Sequence, residues 1–320
     1  MTEHALIASL ADGEFHSGER LGEQLGVSRT AVWKQLQKLE DLGVAVESVK
    51  GRGYRIAGGL DLLNGEVIID GMGPAAAAVC ELTILKETVS TNDWVKARPG
   101  SWHGVTCLAE RQTGGRGRRG RAWVSPYGRN LYLSMGWEFE GGVAALEGLS
   151  LAVGVAVCRT LGGRKAHEGI ALKWPNDVLL DGRKLAGVLV EMQGDPSGAC
   201  QVVVGVGVNY GMGEAPGQVI DQPWADGREV VDMSRSQVAG ALIRELAAML
   251  ASFAERGFAA FREEWSSYDA TRDKPVTLTA VNRGVDGVAR GIADNGALLV
   301  ETALGIESFH GGEVSLRVAG

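Results

Sequence analysis

The stretch Gly115-Arg116-Gly117-Arg118-Arg119-Gly120 decides between two kinds of fold for the larger part of this chain. Its spacing matches G-x-G-x-x-G, the fingerprint of dinucleotide-binding βαβ folds, in which a helix follows the glycines and holds pyrophosphate at its N-terminus. Here the chain continues as Arg121-Ala122-Trp123-Val124-Ser125-Pro126-Tyr127-Gly128, which contains a turn and no helical period. No acidic ribose ligand follows in a βαβ context. We therefore reject the dinucleotide-binding fold.

The same segment predicts a site for anions. Three arginines alternate with its glycines, and Arg121 follows as a fourth. Glycines let the backbone approach a ligand closely, and guanidinium groups pair with phosphate or carboxylate oxygens in a bidentate manner. A solvated basic surface loop is the alternative, but four arginines among glycines and small residues favour binding. The pattern suits a site where two anions react despite their mutual repulsion.

Two later segments place polar side chains beside apolar strands. The first is Lys173-Trp174-Pro175-Asn176-Asp177, and the second is Gly182-Arg183-Lys184-Leu185-Ala186-Gly187. Lys184 follows a turn and precedes an apolar strand, so its ammonium can reach a cleft as a point charge on a phosphate. A lone lysine at a turn is usually solvated, and this interpretation therefore depends on the other segments.

Several classes of site are excluded by motifs that the sequence lacks. There is no G-x-x-x-x-G-K-[ST], which excludes a P-loop nucleotide site. The histidines accompany no nucleophile elbow, which argues against acyl-enzyme hydrolysis. The cysteines are widely spaced, as expected for reduced structural thiols and not for a metal site or a disulfide framework. The histidines are His4, His16, His103, His167 and His310, and the cysteines are Cys80, Cys107, Cys158 and Cys200.

Charge and hydropathy predict a soluble cytoplasmic protein. The formal net charge is -7, so any nucleic-acid binding must come from a local basic patch. The N-terminus lacks a secretory pattern, because acidic residues follow its first apolar residues directly. The longest apolar stretch, Leu146–Leu161, is interrupted by glycines and Arg159 and falls short of the ~20 apolar residues of a membrane helix.

Residues 1–62 predict a winged helix-turn-helix domain. A short helix over Arg20–Leu25 and a turn at Gly26-Val27 lead to Ser28, which can cap the next helix. Val46–Ile56 then forms two short strands around a glycine turn. Helix, turn, helix and basic hairpin in this order are typical of winged helix-turn-helix domains.

One face of the second helix and the hairpin carry the side chains that can meet DNA. Val32, Leu36 and Leu39 share the buried face of that helix, so its basic residues point outward. Acidic residues slightly outnumber basic ones over residues 1–60, which keeps a small helical interaction domain open as the alternative. The residues predicted to bind DNA are Arg29, Thr30, Trp33, Lys34, Lys50 and Arg52.

Residues 63–270 predict a larger α/β domain. Helices are expected around Leu149–Leu161 and Val238–Phe253. Short glycine turns separate many of the strands, which indicates a mixed, partly antiparallel sheet. The expected strands are Leu82–Leu85, Val105–Leu108, Leu131–Met135, Val188–Glu191 and Val202–Val208.

Residues 271–320 predict a small β-barrel of SH3 type. Val276, Leu278 and Ala280 alternate with polar residues, and Asp294-Asn295-Gly296 is a strong hairpin turn. Val314–Val318 is expected to close this domain as its last strand. Several short strands in about 50 residues are typical of such barrels.

These features together resemble the family of bifunctional biotin ligases and biotin-operon repressors. The order and spacing of the motifs agree over the whole chain, including the winged-helix start and the SH3-like end. The matching segments are Ser90-Thr91-Asn92, Gln112–Arg121, Lys173-Trp174-Pro175-Asn176-Asp177, Lys184-Leu185-Ala186-Gly187 and Gly205-Val206-Gly207-Val208-Asn209. The fold class implied is α+β and multidomain, with a central mixed α/β catalytic domain similar to class II synthetases.

The resemblance implies a reaction in two steps and a role for each matching residue. Biotin attacks the α-phosphate of ATP, which arrives with Mg²⁺, and the resulting biotinyl-5′-AMP then acylates a lysine of a biotin carboxyl carrier protein. Catalytic roles fall to Lys184, Arg116 and Arg118. The binding positions are Ser90, Thr91, Asn92 and Gln112 for biotin, Arg116, Gly117 and Arg118 for the carboxylate and phosphate, Lys184 for the α-phosphate, Asn209 for the adenylate and Trp224 for adenine.

The resemblance also implies that biotinyl-5′-AMP acts as a corepressor. In this family it favours a homodimer built partly from the loop that corresponds to Gly142-Val143-Ala144-Ala145, and the dimer binds operator DNA of the biotin synthesis genes. Three alternatives remain open. They are a lipoate or octanoate ligase or transferase, a ligand-sensing repressor without catalysis, and a ligase whose winged helix has lost its operator.

Overall fold

The computed structural model describes residues 3–162, 169–194, 198–213, 220, 222–279, 284–311 and 315–318. His167, Ala280 and Val314, which the sequence analysis names, lie outside these ranges. The N-terminal part contains the two predicted helices and the predicted hairpin, and a further helix precedes them that was not predicted. Its elements are α1 (Glu3–Leu10), α2 (Gly18–Leu25), α3 (Arg29–Leu39), β1 (Glu47–Val49) and β2 (Gly53–Arg55).

Capping residues fix the two helices of the helix-turn-helix. The hydroxyl of Ser28 accepts a hydrogen bond from the Ala31 N–H and begins α3, which confirms the predicted cap. Gly26 ends α2 in the left-handed region, with φ of 66°, where a glycine is not strained. The three predicted core positions of α3, Val32, Leu36 and Leu39, are buried.

The central domain is built on a seven-stranded sheet in the order β3-β4-β5-β9-β8-β7-β6. The pair β3–β4 is parallel and every other described pair in this sheet is antiparallel, so the mixed sheet is confirmed. Each predicted strand lies within or overlaps one of these. The bounds are β3 Glu81–Leu85, β4 Val105–Ala109, β5 Leu131–Phe139, β6 Ile170–Lys173, β7 Asp177–Leu180, β8 Arg183–Gly194 and β9 Cys200–Val208.

Five helices accompany this sheet in the described ranges. The helix α4 is interrupted at Gly73 and packs closely on α7, because Gly71 meets Gly240 at the crossing. A Cβ atom on Gly240 would lie 2.6 Å from the Ile68 carbonyl oxygen, too near for any other residue. The bounds are α4 Gly65–Val79, α5 Thr91–Lys96, α6 Leu149–Gly162, α7 Arg235–Arg256 and α8 Arg262–Ser267.

Two described segments, Val143–Gly162 and Arg235–Arg256, are long and apolar enough to cross a membrane by length and composition alone. The first contains the predicted stretch Leu146–Leu161, and the α-helix within it covers only Leu149–Gly162. The apolar character of both segments is explained by burial, because the helices α6 and α7 contribute many fully buried side chains to the main hydrophobic core. They are therefore core helices of the central domain.

The C-terminal part is a five-stranded antiparallel sheet in the order β13-β12-β11-β10-β14. The predicted turn Asp294-Asn295-Gly296 lies between β11 and β12, which confirms the small β-domain. Leu278, Val300 and Leu316 join the core of the central domain, so the two parts share one apolar interior. The bounds are β10 Pro275–Thr279, β11 Gly284–Ile292, β12 Leu298–Thr302, β13 Gly305–Phe309 and β14 Ser315–Val318.

The four cysteines are all free thiols, and three of them are buried. Burial raises the pKa of the Cys107 thiol to about 12, so this sulfur is protonated and unreactive at neutral pH. The prediction of reduced structural cysteines is thereby supported.

Candidate functional site

One cavity of about 750 Å³ gathers every residue that the sequence analysis placed in the ligand site. It lies over the ends of β8 and β9 and is covered from one side by Gly115–Arg121, called here the Gly–Arg loop. Leu316 of the C-terminal domain also lines it. The predicted residues in its lining are Ser90, Thr91, Asn92, Gln112, Arg116, Gly117, Arg118, Lys184, Asn209 and Trp224.

The start of α5 forms a buried polar end to this cavity. The Thr91 N–H donates to Gln112 Oε1 at 2.9 Å, which fixes the glutamine side chain against the helix. Ser134 on β5 is fully buried, and its Oγ lies 2.5 Å from Asn92 Oδ1 and 2.7 Å from Thr91 Oγ1. Buried polar groups held in this way can recognise a small polar ring by hydrogen bonds.

A close backbone approach allows this polar end to form. A Cβ atom on Gly205 would lie only 2.3 Å from Asn92 Oδ1, so a larger residue in β9 would displace the asparagine. A glycine inside a strand often marks such an approach. Ser134 was missed in the sequence analysis, and its signal was a polar residue within the apolar run Leu131–Met135.

The Gly–Arg loop is a short hairpin and not the start of a helix. Gly117 N–H donates to the Arg121 carbonyl at 2.7 Å, and Trp123 N–H donates to the Gly115 carbonyl at 2.9 Å. Arg119 turns the chain with φ of 57°. The rejection of the dinucleotide-binding fold is therefore confirmed by the local structure.

The two predicted catalytic arginines of the Gly–Arg loop extend to opposite sides of the cavity. Arg116 forms a bidentate ion pair with Asp93 of α5, at 2.7 and 2.6 Å. Arg118 donates to Asn176 Oδ1 at 3.2 Å and to the carbonyl of Gly311 in the C-terminal domain. Burial lowers the pKa of the Arg118 guanidinium. The loop thus spans the cavity from α5 to the C-terminal domain.

Lys184 lies near the start of β8 with its ammonium inside the cavity. Its Nζ is 2.8 Å from Asp177 Oδ1 and 5.4 Å from the ring centre of Trp123, and its side chain is 17% exposed. A cation in such a cleft can stabilise negative charge that develops on a ligand. Asp177 and Trp123 belong to the segments quoted above, but no role in the site was predicted for them.

Backbone hydrogen bonds bring Trp224 and Asn209 to the same end of the cavity as Lys184. Lys184 N–H donates to the Pro223 carbonyl, and Ala225 N–H donates to the Lys184 carbonyl, each at 2.9 Å. The Asn209 side-chain amide donates to the Lys184 carbonyl, also at 2.9 Å. Trp224 therefore pairs with Lys184 through the backbone at the start of β8, and both residues line the cavity.

Glycines in the strands also make room for Trp123. A Cβ atom on Gly207 would lie 2.5 Å from the Trp123 ring, and one on Gly187 would lie 3.0 Å from it. The indole consequently rests directly on the backbone of β8 and β9, under the ammonium of Lys184. This contact explains why glycines interrupt otherwise apolar strands at these two positions.

The predicted DNA-binding residues form an exposed surface on the N-terminal domain. On α3 they lie outward, and Trp33 is 52% exposed although it is a large apolar side chain. Lys50 and Arg52 lie in the exposed turn between β1 and β2. The guanidinium of Arg52 stacks on the Phe15 ring at 4.0 Å, a contact that the sequence analysis did not predict.

Tyr127, shortly after the Gly–Arg loop, is buried in the core of the N-terminal domain. Its hydroxyl lies 2.9 Å from His4 Nδ1 on α1. A buried ion pair between Glu110 and Arg235 lies at the same junction, where Glu110 Oε1 also accepts from the Leu63 N–H of the connecting segment at 2.7 Å. Glu110 and Tyr127, which flank the Gly–Arg loop in the sequence, thus contact the linker and the N-terminal domain, respectively.

The loop Gly142-Val143-Ala144-Ala145, which the resemblance assigns to a dimer interface, is at the surface. Val143 begins a short 3₁₀ turn that ends at Leu146, and its side chain is 46% exposed. An exposed apolar side chain on a glycine-rich loop can be covered by a second subunit.

Comparison with known proteins gives matches along the whole chain. The model of the biotin/lipoate A/B protein ligase family matches residues 85–209. An HTH domain matches residues 3–55, and the biotin protein ligase C terminal domain matches residues 272–317. These matches fall on the three structural parts described above.

Relatives and solved structures agree with these matches. The chain is 44% identical over 316 residues to the bifunctional ligase/repressor BirA of Escherichia coli strain K12, covering 98% of this chain and 97% of that protein. It is 34% identical to the biotin--[acetyl-CoA-carboxylase] ligase of Paracoccus denitrificans, over 72% of this chain and 98% of the relative. The biotin protein ligase of Aquifex aeolicus in complex with biotin and ATP superposes with a TM-score of 0.62, at 29% identity, over 75% of this chain and 99% of that chain.

Proposed function

Since this chain belongs to the bifunctional ligase/repressor BirA family, we propose that it attaches biotin to a lysine of an acceptor protein and represses biotin synthesis genes. The observation that carries the ligase activity is the convergence of the ten predicted ligand residues on one cavity, including three cations. We propose that the domains are 1–62, 63–270 and 271–320. The first two parts have separate core clusters, which supports the division between residues 62 and 63.

In the first step a biotin carboxylate oxygen bonds to the α-phosphorus of ATP, and the bond from that phosphorus to the bridging oxygen breaks to release pyrophosphate. Mg²⁺ enters with ATP as part of the substrate. Lys184, Arg116 and Arg118 neutralise the reacting anions, which could not otherwise approach each other. Their charges are fixed before the reaction, because each already has a hydrogen-bond or ion-pair partner.

The two ends of the cavity suit the two parts of biotinyl-5′-AMP. The buried polar end, with Ser90–Asn92 and Gln112, suits the ureido ring of biotin. At the other end Asn209 and Trp224 suit the adenylate, with the indole stacking on adenine. The Gly–Arg loop lies between them and shields the mixed anhydride from water.

In the second step the amine of an acceptor lysine attacks the carbonyl carbon of biotinyl-5′-AMP and AMP leaves. The acceptor is a biotin carboxyl carrier protein of acetyl-CoA carboxylase, which agrees with the substrate named for the Paracoccus denitrificans relative. The reaction takes place in the cytoplasm, where free thiols such as the four of this chain stay reduced.

Repression rests on the exposed face of α3 and on the wing. Arg29, Thr30, Trp33 and Lys34 would meet bases and phosphates in the major groove, and Lys50 and Arg52 would meet the backbone. Biotinyl-5′-AMP is the corepressor and favours a homodimer through Gly142–Ala145, which brings two such domains onto two half-sites. The contacts of Tyr127 and Glu110 with the N-terminal domain and linker support a coupling between the ligand site and DNA binding.

Pyrophosphate release from ATP with biotin, and separately with lipoate, tests the ligase proposal. We expect pyrophosphate release with ATP and biotin and none with ATP and lipoate, because the buried hydrogen-bonding end of the cavity suits the ureido ring. Release with lipoate only would identify a lipoate ligase, and release with neither would favour a sensing repressor without catalysis. Footprinting the promoter of the biotin synthesis genes with biotin and ATP tests repression, and an unprotected promoter would indicate a ligase without an operator.

A further inference from the structure

Asp93 and Arg116 connect α5 to the Gly–Arg loop through a well-aligned ion pair. Both terminal nitrogens of the guanidinium donate to the carboxylate, one to each oxygen, at 2.7 and 2.6 Å. The two side chains are 38% and 37% exposed. Arg116 and Lys96 hold the pKa of the Asp93 carboxyl at about 2, so it is ionised at every pH where the protein would be assayed.

A second set of contacts holds Asp93 itself in place. Lys96 Nζ lies 3.1 Å from Asp93 Oδ1 and 2.8 Å from Glu191 Oε1. Glu191 in turn accepts a hydrogen bond from the side-chain amide of Asn92 at 2.7 Å. The turn of α5 that carries Asn92, at the polar end of the cavity, therefore also carries the anion that binds Arg116.

We propose that Asp93 is a positioning residue, which holds Arg116 and the Gly–Arg loop across the cavity before the substrates bind. The proposal rests on the proposed function, because Arg116 acts there on the reacting anions. A guanidinium has five N–H groups, and Asp93 engages two of them. The remaining donors can bind a carboxylate or phosphate oxygen, so the substrate does not need to displace Asp93.

The physical advantage is preorganisation. A glycine-flanked arginine has many accessible conformations, and ordering them on ligand binding weakens the affinity. The contact with Asp93 restricts these conformations in the unliganded protein. Its loss would therefore raise the KM for biotin while the turnover of the saturated enzyme stays nearly unchanged.

The variant Asp93→Asn tests the proposal in pyrophosphate-release kinetics. Because the ion pair is more than one-third exposed, we expect the biotin KM to rise only about two- to fivefold and kcat to change less than about twofold. Asp93→Glu should recover part of the loss. Glu87→Gln is the matched control, since it removes another partly exposed ion pair, with Arg111, near the base of the same segment and outside the cavity lining.

Two further measurements separate positioning from a general structural effect. In the Arg116→Gln background, Asp93→Asn should have no additional effect on the biotin KM. Trypsin should also cut the Gly–Arg loop of unliganded Asp93→Asn faster than that of the unchanged protein or of Glu87→Gln, and biotin with ATP should remove the difference.

Three results would overturn the proposal. The first is an unchanged biotin KM together with an unchanged cleavage rate. The second is a lower biotin KM, which would mean that Asp93 competes with the substrate. The third is an equal change in the biotin KM on Asp93→Asn with and without Arg116. The cleavage assay needs no enzymatic turnover, and the unchanged protein establishes separately whether biotin is adenylated. A failure of the positioning role can thus be told apart from a failure of the proposed function.

Discussion

Replacing Lys184 with alanine removes a cation whose ammonium lies 2.8 Å from Asp177 and is mostly shielded from water. In the substrate complex this charge would lie beside the α-phosphate, where negative charge builds up as the new bond forms. The polar end of the cavity, with Thr91 and Gln112 joined at 2.9 Å, is formed by other residues and would remain intact. The variant should therefore separate adenylation from biotin binding.

The expected size of the effect follows from the environment of the ammonium. A fixed donor in a cleft that excludes water contributes about 3–4 kcal/mol to a charged transition state, and its loss lowers kcat roughly 10²–10³-fold. The affinity for biotin alone should change little, because an interaction made mainly in the transition state does not stabilise the bound substrate. Pyrophosphate release measures the first quantity, and calorimetric titration with biotin measures the second.

Arg183→Ala is the matched control for Lys184→Ala. Arg183 precedes the lysine in β8, but it pairs with Glu229 at 2.7 Å on the exposed surface. Its removal should leave both adenylation and biotin binding unchanged. If Lys184→Ala adenylated biotin at a rate near that of the unchanged protein, the role given to this lysine would be refuted. A parallel loss of biotin affinity in that variant would instead indicate a collapsed cavity.

Three other substitutions test separate parts of the structure. Gly207→Ala should weaken biotin binding in calorimetry, because its new methyl group would lie 2.5 Å from the Trp123 ring, and unchanged affinity would contradict this packing. Arg235→Met should lower the free energy of unfolding in urea by roughly 3–5 kcal/mol, because it leaves the Glu110 carboxylate buried without its charged partner, and an unchanged free energy of unfolding would contradict this role of the ion pair. Arg52→Ala should weaken DNA binding at low salt and reduce the magnitude of the slope of log K for DNA binding against log salt concentration by roughly one. An unchanged slope would show that this arginine does not contact a phosphate.

Local signals in the sequence predicted the secondary structure and the placement of the site well. Ser28 begins α3 because its hydroxyl satisfies a free N–H group, which is a short-range effect visible in the sequence. The Gly–Arg loop was identified by residue type alone, since few structures need alternating glycines and arginines. The gathering of Ser90, Lys184 and Trp224 in one cavity came from the family resemblance, because nothing local relates residues so far apart.

Contacts between distant residues account for what the sequence did not predict. Asp93 is an unremarkable acidic residue on a short helix until the fold places it against Arg116. Tyr127 follows a proline near a turn, and only the packing of two domains shows that it belongs to the N-terminal core. Ser134 was also missed, although a polar residue within the apolar run Leu131–Met135 is a signal that could have found it.

The central claim is that this chain transfers biotin through an adenylate, and intact-mass measurement of an acceptor tests it most directly. The purified protein would be incubated with ATP, Mg²⁺, biotin and a biotin carboxyl carrier domain, with a second acceptor in which the target lysine is replaced by arginine. We expect one biotin to be added to the unchanged carrier, only when ATP is present, and none to the arginine variant. A carrier that gains no mass while the protein remains folded would contradict the account.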